Sequence, residues 1–97
     1  MKYNEILRLK EMLEKESIPF DFAEMNGGYQ ICYPKKGENR ICSIIEYDGS
    51  YGRTEDLLEI MGLLTDKELE NDSVVGYLTA EEVFGRIKNH YESEVLK

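Results

Sequence analysis

The sequence predicts an α+β fold, a single domain over residues 1–97. It reads as a three-stranded antiparallel meander preceded by one helix and followed by two to three helices. Three observations carry that prediction. Apolar residues recur at helical spacing through the N-terminal segment. The pattern then changes to alternation between Phe20 and Tyr47. After Leu63 two Thr-x-x-Glu signatures mark helix starts.

The first helix spans residues 3–16, with Ile6, Leu9 and Leu13 on one stripe and Tyr3, Leu7 and Met12 widening it. Ser17 and Pro19 end it, because proline disfavours helix in the residue before it. Phe20 and Phe22 alternate with Asp21 and Ala23 as a short strand, and Asn26-Gly27-Gly28 is a turn. Tyr29, Ile31 and Tyr33 define one face of a second strand. A turn over 34–39 leads to a third strand, residues 40–47, with Ile41, Ser43, Ile45 and Tyr47 on one face. Matching those faces sets Cys32 opposite Cys42, as thiols. Thr54 is placed as the cap of a helix over 55–63. Leu64-Thr65-Asp66-Lys67-Glu68-Leu69 and Leu78-Thr79-Ala80-Glu81-Glu82-Val83 each combine a capping box with flanking apolar residues. Gly76 and Tyr77 mark a fold-back, and the last helix runs from Ala80, burying Val83, Phe84, Ile87 and Tyr91. The α-β-β-β-α order overlaps that of double-stranded RNA-binding domains. The segment after the sheet opens on Glu55-Asp56, where phosphate recognition needs basic residues.

Charge narrows the function classes. The chain carries a formal net charge of −8. Residues 54–97 hold eleven acidic and four basic side chains, whereas residues 26–53 hold Lys35, Lys36, Arg40 and Arg53 against three acids. Direct nucleic-acid binding is disfavoured, since it needs several cationic contacts to phosphate. No apolar run reaches the ~20 residues of a membrane span. The charged N-terminal residues lack a signal-peptide apolar region, which leads to an expected cytoplasmic location. Two cysteines and one histidine, without C-x-x-C, suggest neither a metal site nor a cofactor. No Ser-His-Asp or Cys-His order suggests an enzyme, and His90 near a helix end is expected to be exposed.

One stretch carries ligand-binding chemistry: Tyr47-Asp48-Gly49-Ser50-Tyr51-Gly52-Arg53-Thr54. Gly49 and Gly52 permit a close backbone approach. Ser50, Tyr51 and Thr54 offer hydroxyls, and Arg53 offers a fork suited to phosphate or carboxylate. A helix N-terminus behind them adds oriented N–H groups. Tyr47 or Tyr51 would stack on a base, while Lys35, Lys36 and Arg40 would add charge from a neighbouring subunit. The spacing matches neither a Walker A loop nor a dinucleotide fingerprint. The competing reading is a turn in which Arg53 pairs with a nearby carboxylate such as Glu46 or Asp56.

The segments GSYGRTEDLLEIMGLLT and DSVVGYLTAEEVFGRI resemble small uncharacterised proteins encoded by phages and prophages of Gram-positive bacteria. The resemblance implies a non-enzymatic accessory, anti-defence role inside the bacterial host, and transfers no functional residue. Two partners are consistent with it. One is a small anionic, nucleotide-like ligand of the immune-signal type, sequestered by a homo-oligomer because so small a domain encloses a nucleotide poorly. The alternative is a host nuclease or other nucleic-acid-binding protein, blocked by a DNA-like acidic surface over residues 55–82.

Overall fold

The computed structural model describes residues 2–96. Helix α1 (Asn4–Lys15) is followed by strands β1 (Asp21–Met25), β2 (Gly28–Tyr33), β3 (Cys42–Tyr47) and β4 (Leu58–Met61). Helix α2 (Asp66–Asn71), strand β5 (Val74–Leu78) and helix α3 (Ala80–His90) complete the fold. The α+β class and the leading helix are as predicted. The sheet has five antiparallel strands in the order β1-β2-β3-β4-β5, not three.

Both extra strands lie where the sequence suggested helix or turn. Residues 55–63 are not a helix: one 3-10 turn, Arg53–Glu55, precedes β4. Asp56, at φ 57°, breaks any helical continuation. Thr54 donates its hydroxyl to Glu55 Oε2 (2.9 Å) and caps nothing. Leu57, Leu58, Ile60 and Met61 fit both periods, and tertiary context decides between them: Leu58 and Ile60 are fully buried on the sheet. The expected fold-back at Gly76 and Tyr77 is part of β5. A register shift opposite Glu59 marks a bulge there, with Tyr77 at φ 61°.

The β2–β3 register differs from the expected one by one residue. Tyr33 lies opposite Cys42, and Cys32 opposite Ser43. The slip inverts the face assigned to β3. Cys42, Ile44 and Glu46 point into the core, and Ile41 is exposed. The free cysteines therefore point to opposite faces of the sheet. Burial, followed by the neighbouring Cys32, pushes the Cys42 thiol up to about 12.

The core lies between one sheet face and the α1/α3 pair. Ile6, Leu9 and Leu13 of α1 and Val83 and Ile87 of α3 pack against Ile31, Tyr33, Ile44, Leu58 and Ile60. Phe84 and Tyr91, expected to be buried, are only partly so. Both predicted capping boxes form: Thr65 and Thr79 accept the N–H of Glu68 and Glu82, whose carboxylates accept the cap N–H in return. Among the described residues no helix is long and apolar enough to cross a membrane.

Candidate functional site

The Gly loop closes the β3 end of the sheet. Ser50 donates its hydroxyl to the Tyr47 carbonyl (2.9 Å) and accepts the Tyr47 N–H (3.2 Å), so a side chain expected to meet a ligand closes the turn instead. Backbone N–H groups that would cradle an anion are also engaged. Ser50 N donates to Tyr47 O, and Arg53 N to Ser50 O. Tyr51 N donates to Glu59 Oε1 at 2.9 Å. Gly52, at φ 98°, is required, because a Cβ there would lie 3.0 Å from both Leu57 Cβ and Tyr77 N.

Arg53 points inward and is 5% exposed. Its Nη1 donates to Glu46 Oε2 at 2.8 Å, and its guanidinium carbon lies 3.9 Å from the centre of the Tyr3 ring. Nε and Nη2 are buried without a hydrogen-bond partner among the described residues. The ring face supplies part of the missing stabilisation through a cation–π contact. A small cavity of about 320 Å³ adjoins this point, but its other walls are Lys2, Thr54, Glu55 and Asp56. Two of those four walls are carboxylates, which repel an anion.

No helix N-terminus follows the loop; that of α1 is brought to it instead. Asp56 accepts the N–H groups of Asn4 (3.2 Å) and Glu5 (3.3 Å), and Glu46 Oε1 accepts that of Ile6 (3.3 Å). Tyr3, the formal N-cap of α1, provides no side-chain cap. The anion favoured by the helix dipole thus comes from the chain itself. Burial, reinforced by the Asp56 carboxyl beside it, pushes Glu46 up to about 8, with the Ile6 N–H and Arg53 pulling weakly the other way.

The remaining predicted site residues divide into two groups. Tyr51 is exposed beside the loop, Tyr47 and Gly52 are partly or fully covered, and Gly49 and Thr54 are open to solvent. Lys35, Lys36 and Arg40 are exposed in the β2–β3 turn, beyond Tyr33 and Cys42. The Gly loop follows Tyr47 at the opposite end of that hairpin, so one chain does not bring the two groups together.

A second feature was not legible in the sequence. His90 is half-buried rather than exposed, with Nδ1 2.7 Å from the Tyr33 hydroxyl. Burial, then Cys42, then Tyr91 raises the Tyr33 pKa, so the hydroxyl keeps its proton in this contact. The pair borders a shallow groove of about 710 Å³ lined by Leu63, Leu64, Arg86, Asn89 and Ser93. Ser93 donates to the His90 carbonyl rather than to its ring. Arg86 makes a two-armed contact with Glu68 (2.8 and 2.7 Å) and a third bond to Leu63 O, pinning α2 to α3. That contact, with the Thr65 N–H after it, holds Glu68 down at about 2. Among the described residues no three His, Cys, Asp or Glu side chains converge as a metal would require.

No protein-family model, curated protein or solved structure matches the chain.

Proposed function

We propose that this protein is a non-enzymatic accessory binder, of the kind its phage-like segments suggest, acting through an acidic surface on a basic, nucleic-acid-binding partner. The observation that favours this reading is how the cations are used. Arg53 is paired inside with Glu46, Arg86 with Glu68, and Lys88 with Glu16. Asp66, Glu70 and Asp72 remain exposed without an ion-pair partner among the described residues, over α2 and the approach to β5, whereas Glu81 pairs with Arg8 and Glu82 is held in the Thr79 capping box. Such a surface steers a basic groove towards itself, and its attraction falls with added salt.

The test is displacement of a labelled DNA duplex from the DNA-binding proteins of a bacterial lysate. Native protein is expected to compete, less well as salt rises. The combined change Asp66→Lys, Glu70→Lys, Asp72→Lys is expected to abolish competition. Equal competition by native and variant protein would contradict the reading.

A nucleotide-like ligand remains a second reading, favoured by the unpartnered Nε and Nη2 of Arg53 and by the exposed Tyr51 ring. Calorimetry against linear and cyclic nucleotides tests it separately. Heat of binding that is lost in Tyr51→Ala supports it, and absence of heat at millimolar ligand contradicts it.

A further inference from the structure

Both long helices lie on one face of the sheet. The other face is formed by Asp21, Ala23 and Met25 on β1, Gln30 and Cys32 on β2, Ser43, Ile45 and Tyr47 on β3, Glu59 and Met61 on β4, and Val74 on β5. These positions follow from the register, since each lies opposite another and out of step with the buried Ile31, Ile44 and Ile60. An antiparallel sheet with one solvated face alternates apolar-in and polar-out. This face does not. In a chain that is 33% charged, Asp21 and Glu59 are its only charged members and neither is a cation. Asp21 and Met61 (48%) are exposed on it, Cys32 and Ser43 at its centre are buried among their neighbours, the other members are half-buried, and Ile41 and Tyr51 are exposed near its margins.

We propose that this face is the contact between two copies of the chain, packed sheet on sheet with their strands antiparallel. Size is the first argument. Five strands of about five residues give a flat footprint of roughly 24 by 17 Å. Counted on both copies that is roughly 800 Å², the size of a small, weakly associating interface. Aligned sheet packing is an established way to bury such a face.

Charge selects the occupant and its orientation. The face carries only two charges, Asp21 and Glu59, so a second copy meets fewer like charges here than over α2 and its C-cap, which hold Asp66, Glu68, Glu70 and Asp72 against Lys67. The β2–β3 turn at one end carries Lys35, Lys36 and Arg40 against Glu38, and the Gly loop at the other carries Asp48 and Glu55, all exposed. A two-fold axis parallel to the strands would stack cations on cations. An axis perpendicular to them, lying between the sheets, sets β3 over β3 and each basic turn against the Gly loop of the partner subunit. The same arrangement places Lys35, Lys36 and Arg40 of one copy near Tyr47 and Tyr51 of the other, the juxtaposition one chain lacks. The proposal stands on the sheet face alone and does not depend on the acidic-surface reading.

Sedimentation velocity over a wide micromolar range tests it. The native chain is expected to dimerise. Ile45→Asp and Met61→Lys, which leave the helix-facing core untouched, should give monomers with near-native helical circular dichroism. Lys36→Glu and Asp48→Lys should each raise the dissociation constant by roughly tenfold, and their combination should restore it. A native monomer at every concentration overturns the proposal, as does a dimer indifferent to Ile45→Asp. Loss of dimer without rescue by the charge exchange overturns the antiparallel arrangement. Should the face variants fail to fold, dilution of the native chain decides: methyl signals of Ile45, Met61 and Val74 should move while those of Ile6 and Val83 do not. Movement at α1 or α3 instead overturns it.

Discussion

Glu46 is a carboxyl with no exposed surface, and its neighbours define a pH dependence. In the folded chain it keeps its proton up to about 8, against 4.5 for an unperturbed glutamate, because burial and then Asp56 oppose ionisation. Between those values the folded state binds more protons than the unfolded state, so this group's contribution to stability falls as pH rises from 4.5 to about 8 and is level above. Glu46→Gln should flatten that part of a plot of urea midpoint against pH. An unchanged slope would show that Glu46 ionises normally. Glu68 acts in the opposite sense. Arg86 holds it at about 2, so its contribution is present above 4.5 and is lost as pH falls towards 2. Glu68→Gln should soften the acid limb alone.

At the scale of elements, the caps separate strong helices from weak ones. Thr79→Ala and Thr65→Ala each remove the acceptor for an otherwise orphaned N–H, a loss of ~1 kcal/mol. The Thr79 change should be the larger, because α3 carries Val83 and Ile87 into the core while α2 buries no residue. Equal midpoints in denaturant melts would contradict that ranking. These caps were legible because each signature is local: Thr and Glu three positions apart need no partner elsewhere. β4 and β5 were not legible for the converse reason. Leu57 to Met61 fits either period, and Val74 to Leu78 is interrupted by a glycine and a left-handed Tyr77. Only pairing with β3 and with each other makes them strands. The β3 register failed similarly, because Ile41, Ser43 and Ile45 form as plausible a face as Cys42, Ile44 and Glu46 until α1 covers the second set. The Arg53–Glu46 contact was legible as the competing reading of the loop, but the burial of Glu46 was not, since its other partner, the Ile6 N–H, is 40 residues away.

Across the whole molecule, the Gly loop ties the sheet to both long helices. Arg53 holds Glu46, which holds the Ile6 N–H. Asp56 holds those of Asn4 and Glu5, and Glu5 Oε1 accepts the Ala80 N–H at the start of α3 (2.8 Å). Arg53, read from the sequence as a fork for an external anion, is turned inward in this structure onto the chain's own Glu46 carboxyl. Urea unfolding of Arg53→Ala tests that claim most directly. Removing Arg53 leaves the buried Glu46 carboxyl without its donor, a loss of roughly 1–3 kcal/mol, so the midpoint should fall. An Arg53→Ala protein as stable as the native chain would contradict the internal role and return Arg53 to the surface as a ligand contact.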